Sequence, residues 1–250
     1  MEQPTKPRHE YKRLYRRKLP HLHDPGGTLF VTFRLIDTVP RSVLARYMNE
    51  KRMIEEEIWR FTTTSSDPDV VEDLRSEKLR AFHRDWFRRF DDILDKCETG
   101  PHWLRDDTVA SILAESLLHR NGSDYDLRCF CIMSNHAHVV FRPLLEQRSV
   151  VVESKRPIVL TTADPTLATI MTSLKGFTAR KANRVLGRTG KFWEAESYDH
   201  QIRDTRSYYR IINYVLQNPV KAGLVAHWKD WKWTWLADDL KPLFDDSGAA

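Results

Sequence analysis

The sequence predicts a mixed α+β protein built on an antiparallel sheet. Segments rich in β-branched and aromatic residues are interleaved with amphipathic helical segments, but without a strict βαβ rhythm. The chain has 250 residues and is 41% hydrophobic, which is ample for one sizeable core and short for two full domains. Aromatic residues make up 11%, with eight Trp, so wholesale disorder is excluded.

The elements follow in order. Residues 1–20 read as a basic arm ending at Pro20, followed by a turn region at 21–27. Residues 28–36, Thr-Leu-Phe-Val-Thr-Phe-Arg-Leu-Ile, read as a strand. Pro40 opens a helix to about Phe61, residues 62–69 are a polar break, and a second helix runs to about Lys96. Gly100-Pro101 interrupts the chain before a third helix over 106–119, with Val109, Ile112, Leu113 and Leu117 on one face. Tyr125–Met133 and Ala137–Arg142 are apolar enough for central strands, with Ser134-Asn135 between them. Residues 146–163 read as an inserted loop with room for a small hairpin at 150–152 and 158–160.

Asp164-Pro165 is a helix start, and Leu167, Ile170, Met171, Leu174 and Phe177 recur at helical spacing toward a C-cap at Gly187. Residues 191–200 read as extended. Asp204 caps a further helix with the stripe Tyr208, Ile211, Ile212 and Val215, predicted to end near Asn218 because the residue before a proline disfavours helix. One domain over 21–236 results. Residues 237–250, with Asp238, Asp239, Asp245 and Asp246, read as an acidic tail.

Charge is concentrated. Residues 1–20 hold seven Lys/Arg and two Glu, so the arm alone matches the net charge of the whole chain, +5. A second basic stretch carries Lys175, Arg180, Lys181, Arg184, Arg188 and Lys191 with no acid. Two such segments point to a polyanion partner. The plainer alternative is a solubilising tail and a solvated helix face. No stretch approaches the roughly 18 to 20 apolar residues of a membrane span, so no membrane partner is expected. The polar, basic N-terminus lacks an apolar signal core, and a cytoplasmic protein is expected. Cys97, Cys129 and Cys131 fit no zinc framework and read as reduced, mostly buried thiols.

Two motifs carry chemistry. In His136-Ala137-His138, strand alternation puts both imidazoles on one face, where they can grip one metal ion. Tyr214 and Asn218 lie four apart on one helix at the edge of its apolar stripe. Alone, the histidines could be ordinary strand residues and the tyrosine ordinary packing. Together, two neutral histidines and an amide oxygen would bind Mg²⁺ or Mn²⁺ with positions left open for water and phosphate. The tyrosine hydroxyl would be the nucleophile.

These residues resemble the IS200/IS605-type tyrosine transposases with the HUH motif, and more closely the REP-associated tyrosine transposases. The resemblance is carried by Asn135-His-Ala-His-Val-Val, by Tyr214-Val-Leu-Gln-Asn-Pro-Val-Lys-Ala-Gly-Leu-Val, by Ser173-Leu-Lys-Gly-Phe-Thr-Ala-Arg, by Phe192-Trp-Glu-Ala-Glu-Ser-Tyr-Asp-His and by Gly100-Pro-His-Trp-Leu-Arg. It extends from about Arg17 to Trp235.

The resemblance implies a ferredoxin-like (RRM-like) antiparallel sheet with helices packed on it. It implies a metal site of His136, His138 and Asn218, and Tyr214 as nucleophile forming a 5′-phosphotyrosine. The implied substrate is single-stranded DNA with REP-like hairpins, handled by a cytoplasmic, nucleoid-associated protein, with a monomer favoured over a dimer. Arg16, Arg17, Lys175, Arg180, Arg184, Arg188 and Lys191 are the expected DNA contacts. Trp228, Trp231, Trp233 and Trp235 could stack on unpaired bases or close a core, and Glu194, Glu196 or His200 could serve as base or extra ligand.

Two other functions fit the same residues: a resident hairpin-binding protein without transposition activity, and a small metallohydrolase using the His pair. The sequence disfavours the second, because no further Asp, Glu or His clusters with the pair along the chain.

Overall fold

The computed structural model describes residues 26–64, 67–96, 98–144 and 167–244. Arg16, Arg17, Cys97, the hairpin within 146–163, the Asp164-Pro165 helix start, Asp245 and Asp246 lie outside these residues.

Among the described residues, five strands form one antiparallel sheet: β1 (Thr28–Arg34), β2 (Tyr125–Ile132), β3 (His136–Pro143), β4 (Tyr198–Ile202) and β5 (Thr234–Leu236), in the order β4-β1-β3-β2-β5. The first four strands have the split β-α-β order of the ferredoxin-like fold, and β5 extends one edge. The helices are α1 (Arg41–Thr64), α2 (Pro68–Lys96), α3 (Asp107–His119), α4 (Leu167–Val185), α5 (Thr205–Lys221) and the short α6 (Lys241–Phe244).

Strand alternation sorts the sheet into two faces. Leu29, Val31 and Phe33 of β1 and Ala137, Val139 and Phe141 of β3 pack with α3 and α4. Phe30 and Val140 face the other way, with Ile212, Val215 and Leu216 of α5. A bulge between Leu127 and Cys129 shifts the parity of β2, so Leu127 joins the first core while Cys129 and Cys131 join the second. Both thiols are free and buried, and burial pushes the Cys131 thiol up to about 12.

Two helix starts follow their caps. The Asp106 carboxylate accepts from Thr108 N and Val109 N, and that of Asp204 accepts from Ser207 N. The end of α5 differs from the expectation. The helix does not stop at Asn218 but continues through Pro219 to Lys221. Proline in a last turn loses a single backbone bond. The Ala222 amide still donates to the Asn218 carbonyl at 3.0 Å, and the Leu224 amide to that of Pro219 at 2.9 Å, across a left-handed Gly223.

The folded body also extends beyond Leu236, where the acidic tail was expected to begin. Ala237, Leu240 and Phe244 are buried in the α5-side core, and Asp239 accepts a hydrogen bond from Arg128. Trp228 is buried there, Trp231 Nε1 donates to the Ile132 carbonyl at 3.0 Å, and Trp235 of β5 stacks on Phe130, so these tryptophans pack around the β2–β5 end of the sheet.

α1 and α2 form an antiparallel hairpin inserted between β1 and α3. It has its own aromatic core of Tyr47, Phe82 and Trp86, and Trp86 Nε1 donates to Glu50 at 2.9 Å. Its two feet meet at one point. Thr99 Oγ1 donates to the Thr38 carbonyl at 2.8 Å, and Gly100, at φ +79°, lies so close that a Cβ would stand 2.6 Å from the Asp37 carbonyl oxygen. Gly100→Ala combines a left-handed conformation with a backbone clash and should cost at least about 2 kcal/mol. A melting curve unchanged from wild type would refute this tight neck.

Candidate metal centre

β3 presents His136 and His138 on the α5 face of the sheet, and α5 brings Asn218 over them. The two Nε2 atoms stand 3.1 Å apart, and Asn218 Nδ2 lies 3.2 Å from that of His138. The outer nitrogens are anchored: His136 Nδ1 to Asn135 Oδ1 at 2.7 Å, and His138 Nδ1 to Thr32 Oγ1 at 2.7 Å. An amide oxygen can only accept, so neutral His136 carries its proton on Nδ1 and turns a bare lone pair inward. Anchoring the far nitrogen in this way is how proteins aim imidazole at a metal.

Sequence reasoning missed two members of the site. Asp91 and Asp95, four apart on α2, enter from above. Asp91 Oδ1 lies 3.5 Å from His138 Nε2, and Asp95 Oδ1 lies 3.9 Å from His136 Nε2. Asp91, His136 and His138 place one ligand atom each within 4.8 Å of one another, a group able to hold a metal ion. The available signal was that Asp91 and Asp95 continue the α2 stripe begun by Phe87, where apolar residues are expected.

The electrostatics fit a cation. His136 and His138 are 0% exposed, Asn218 1% and Asp91 4%. Burial holds both imidazoles neutral, His136 well below its ordinary range and His138 pushed down to about 3. Burial raises Asp91 to about 6 against the pull of Tyr214 and Lys221, and raises Asp95 to about 6 with Asp91 adding to the effect. Asp91 Oδ1, Asp95 Oδ1 and Asn218 Oδ1 are buried without a hydrogen-bond partner. Acceptors left bare together are costly, and a divalent ion satisfies them at once. Rotating the Asn218 amide by half a turn brings its oxygen to the side now held by Nδ2.

Tyr214 adjoins this group. Its hydroxyl donates to Asp91 Oδ2, and its ring meets the His138 ring edge-on at 5.5 Å. Burial, then the Asp91 charge, hold the phenol protonated, well above its ordinary pKa. A cavity of about 470 Å³ opens beside Asp95, walled by Met133, Trp231 and Trp233.

The expected DNA contacts are distributed differently. α4 packs on the opposite face of the sheet from the histidines. On it, Arg180 and Arg184 are exposed, as is Lys191 beyond it. Lys175 is committed to the chain itself, donating to the Glu194, Ala195 and Glu196 carbonyls at 2.9, 3.3 and 3.4 Å. Arg188 lies over the Trp103 ring at 3.7 Å and donates to the Lys191 carbonyl. Glu194 pairs with Arg34 at 3.7 Å. Among the described residues, no helix is long and apolar enough to cross a membrane.

No family model matches the chain, and no curated protein matches it. Among solved structures, a REP-associated tyrosine transposase bound to a REP hairpin is similar at 13% identity, over 87% of this chain and 81% of that one, with a TM-score of 0.40. A likeness of that degree carries no argument about this chain.

Proposed function

We propose that the protein is a metal-dependent strand transferase acting on single-stranded hairpin DNA through a 5′-phosphotyrosine at Tyr214. The observation that carries this reading is that the Tyr214 hydroxyl and the His138 side of the metal group meet on one carboxylate, Asp91. A nucleophile and a metal-capable cluster that contact the same anion can also flank one phosphate. His136, His138 and Asn218 would hold Mg²⁺ or Mn²⁺, which supplies Lewis acidity and orients a phosphodiester. Tyr214 Oη forms the bond to phosphorus while the bond from phosphorus to the 3′-oxygen breaks. The phenolic proton is released to water, and the 3′-oxygen takes one up. The linkage conserves bond energy, so a later 3′-end can rejoin.

A second reading gains support from Asp91 and Asp95. Two histidines with two carboxylates also suit a metallohydrolase that delivers water, and the sequence argument against that function rested on the lack of such ligands. Incubation with labelled single-stranded hairpin DNA and Mn²⁺, followed by a denaturing gel, separates the functions. A covalent protein–DNA band supports the transferase, cleaved DNA without that band supports the hydrolase, and uncleaved DNA that the protein nonetheless shifts on a parallel native gel supports a resident binding protein.

Arg180 and Arg184 belong to the proposed DNA surface. Changing both to Ala should weaken hairpin binding and flatten its salt dependence by roughly 0.7 to 0.9 of a slope unit per lost phosphate contact. Thermal stability should stay within about 0.5 kcal/mol. Unaltered affinity and slope would remove α4 from the binding surface.

A further inference from the structure

We infer that the α1–α2 hairpin is a displaceable plug whose Asp91 carboxylate occupies the position of a substrate phosphate, and that Lys221 is the cation that meets this phosphate once the plug withdraws. The inference rests on the proposed strand-transfer function for the identity of that anion.

A scissile phosphate must touch the nucleophile and the metal side together. Asp91 does both, with Oδ2 accepting from Tyr214 and Oδ1 3.5 Å from His138 Nε2. With the hairpin in place, both histidines are fully buried and Asp91 of α2 holds the Tyr214 hydroxyl. Asn135 Nδ2 donates to the Leu94 carbonyl at 3.2 Å, and the Phe87 ring stacks on Tyr198 at 4.0 Å.

Lys221 shows the same exchange from the other side. Tyr214, Asn218 and Lys221 are spaced i, i+4, i+7 on α5, so nucleophile, amide and cation share one helix face. Lys221 Nζ is 2.8 Å from Asp95, 3.6 Å from Asp92 and 3.9 Å from Asp91, and its side chain is half exposed. The cation beside the nucleophile is thus engaged by three carboxylates of one helix. A DNA phosphate would compete with those carboxylates for it.

The hairpin is built to move as a unit. Its helices are joined by their own aromatic core, and its feet are pinned at Thr38 and Thr99. Such a body can pivot at its neck without losing its internal packing. Asp91 Oδ1 and Asp95 Oδ1 are buried without partners, so the closed position forgoes hydrogen bonds that solvent would restore when the hairpin opens.

The test is binding, measured without divalent metal in EDTA, by fluorescence anisotropy of a labelled hairpin DNA with a single-stranded 5′ overhang of mixed sequence. Asp91→Asn keeps the side-chain shape and removes the negative charge that competes with a DNA phosphate for Tyr214 and Lys221. It should tighten binding about tenfold if the open state is a minority in the wild type. Asp92→Asn removes the same charge one residue away, from a side chain that is 68% exposed, and should change affinity by no more than about twofold. Adding Lys221→Ala to Asp91→Asn should reverse most of the gain. In the wild-type protein, the hairpin DNA should speed hydrogen exchange over residues 85–96.

Equal effects of Asp91→Asn and Asp92→Asn would reduce the plug to a general charge effect and overturn it. Slower exchange over α2 on DNA binding would do the same, since it would make α2 a fixed wall. A folded Asp91→Asn protein is checked by its melting curve. If that variant fails to fold, the exchange experiment on the wild type decides. Because no measurement uses cleavage, the plug stands or falls separately from the strand-transfer chemistry.

Discussion

Tyr214→Phe should abolish the covalent protein–DNA band on the denaturing gel while leaving a folded protein that still binds hairpin DNA. The change removes one oxygen and keeps a ring that packs against Phe30 and His138. From the sequence alone, a non-catalytic Tyr214 would make this change nearly silent. The structure adds a cost, because the hydroxyl donates to a buried carboxylate. Losing that bond to a charged group should lower stability by about 1.5 to 3 kcal/mol, which a melting curve reads separately from the complete loss of an adduct.

Neighbouring tyrosines are poor substitutes. Tyr208 accepts a hydrogen bond from Arg128 Nε at 2.8 Å, and Tyr209 lies on the exposed side of α5. Tyr198 is stacked on Phe87. A retained adduct in the Phe variant would move the nucleophile elsewhere, and Tyr198 is the next residue to change. Loss of binding together with cleavage, in a protein with a lowered melting point, would make Tyr214 a structural residue.

His138→Ala should remove the stabilisation conferred by Mn²⁺. A ligand at a hundred times its dissociation constant stabilises the folded state by about 2.7 kcal/mol, which moves the melting point of a protein of this size by roughly 5 to 10 °C. Wild type should show that shift, and the variant should show none, because His138 Nε2 lies within 3.5 Å of three other members of the site, His136, Asn218 and Asp91. Without metal, the variant should lose less than a typical large-to-small core change. His138→Ala takes away one of several crowded acceptors, although it leaves Thr32 Oγ1 without its 2.7 Å partner. An equal Mn²⁺ shift in both proteins would place the ion elsewhere. No shift in wild type at saturating Mn²⁺ would end the metal reading.

Local patterns determined a good deal of this protein without the structure. Alternation in His136-Ala137-His138 required both imidazoles on one face, because successive strand residues point oppositely. Asp204 announced the start of α5, and the stripe Tyr208, Ile211, Ile212 and Val215 announced its inward face. These signals are legible because each depends on neighbours within a few residues.

What only the tertiary structure decided depends on contacts between distant segments. Asp91 and Asp95 fall on the α2 stripe begun by Phe87, which marks them as unusual, but nothing local says that α2 lies across β3 and α5, some 40 and 120 residues away in sequence. The basic run on α4 looks continuous, yet Lys175 is turned into carbonyl oxygens and Arg188 onto Trp103, while the helix packs on the face away from the histidines. Pro219 reads as a stop and is absorbed in a last turn. A side chain's type and spacing decide what it can do. Which anions, cations and lone pairs are forced together out of water is decided by burial, and burial belongs to the packed chain as a whole.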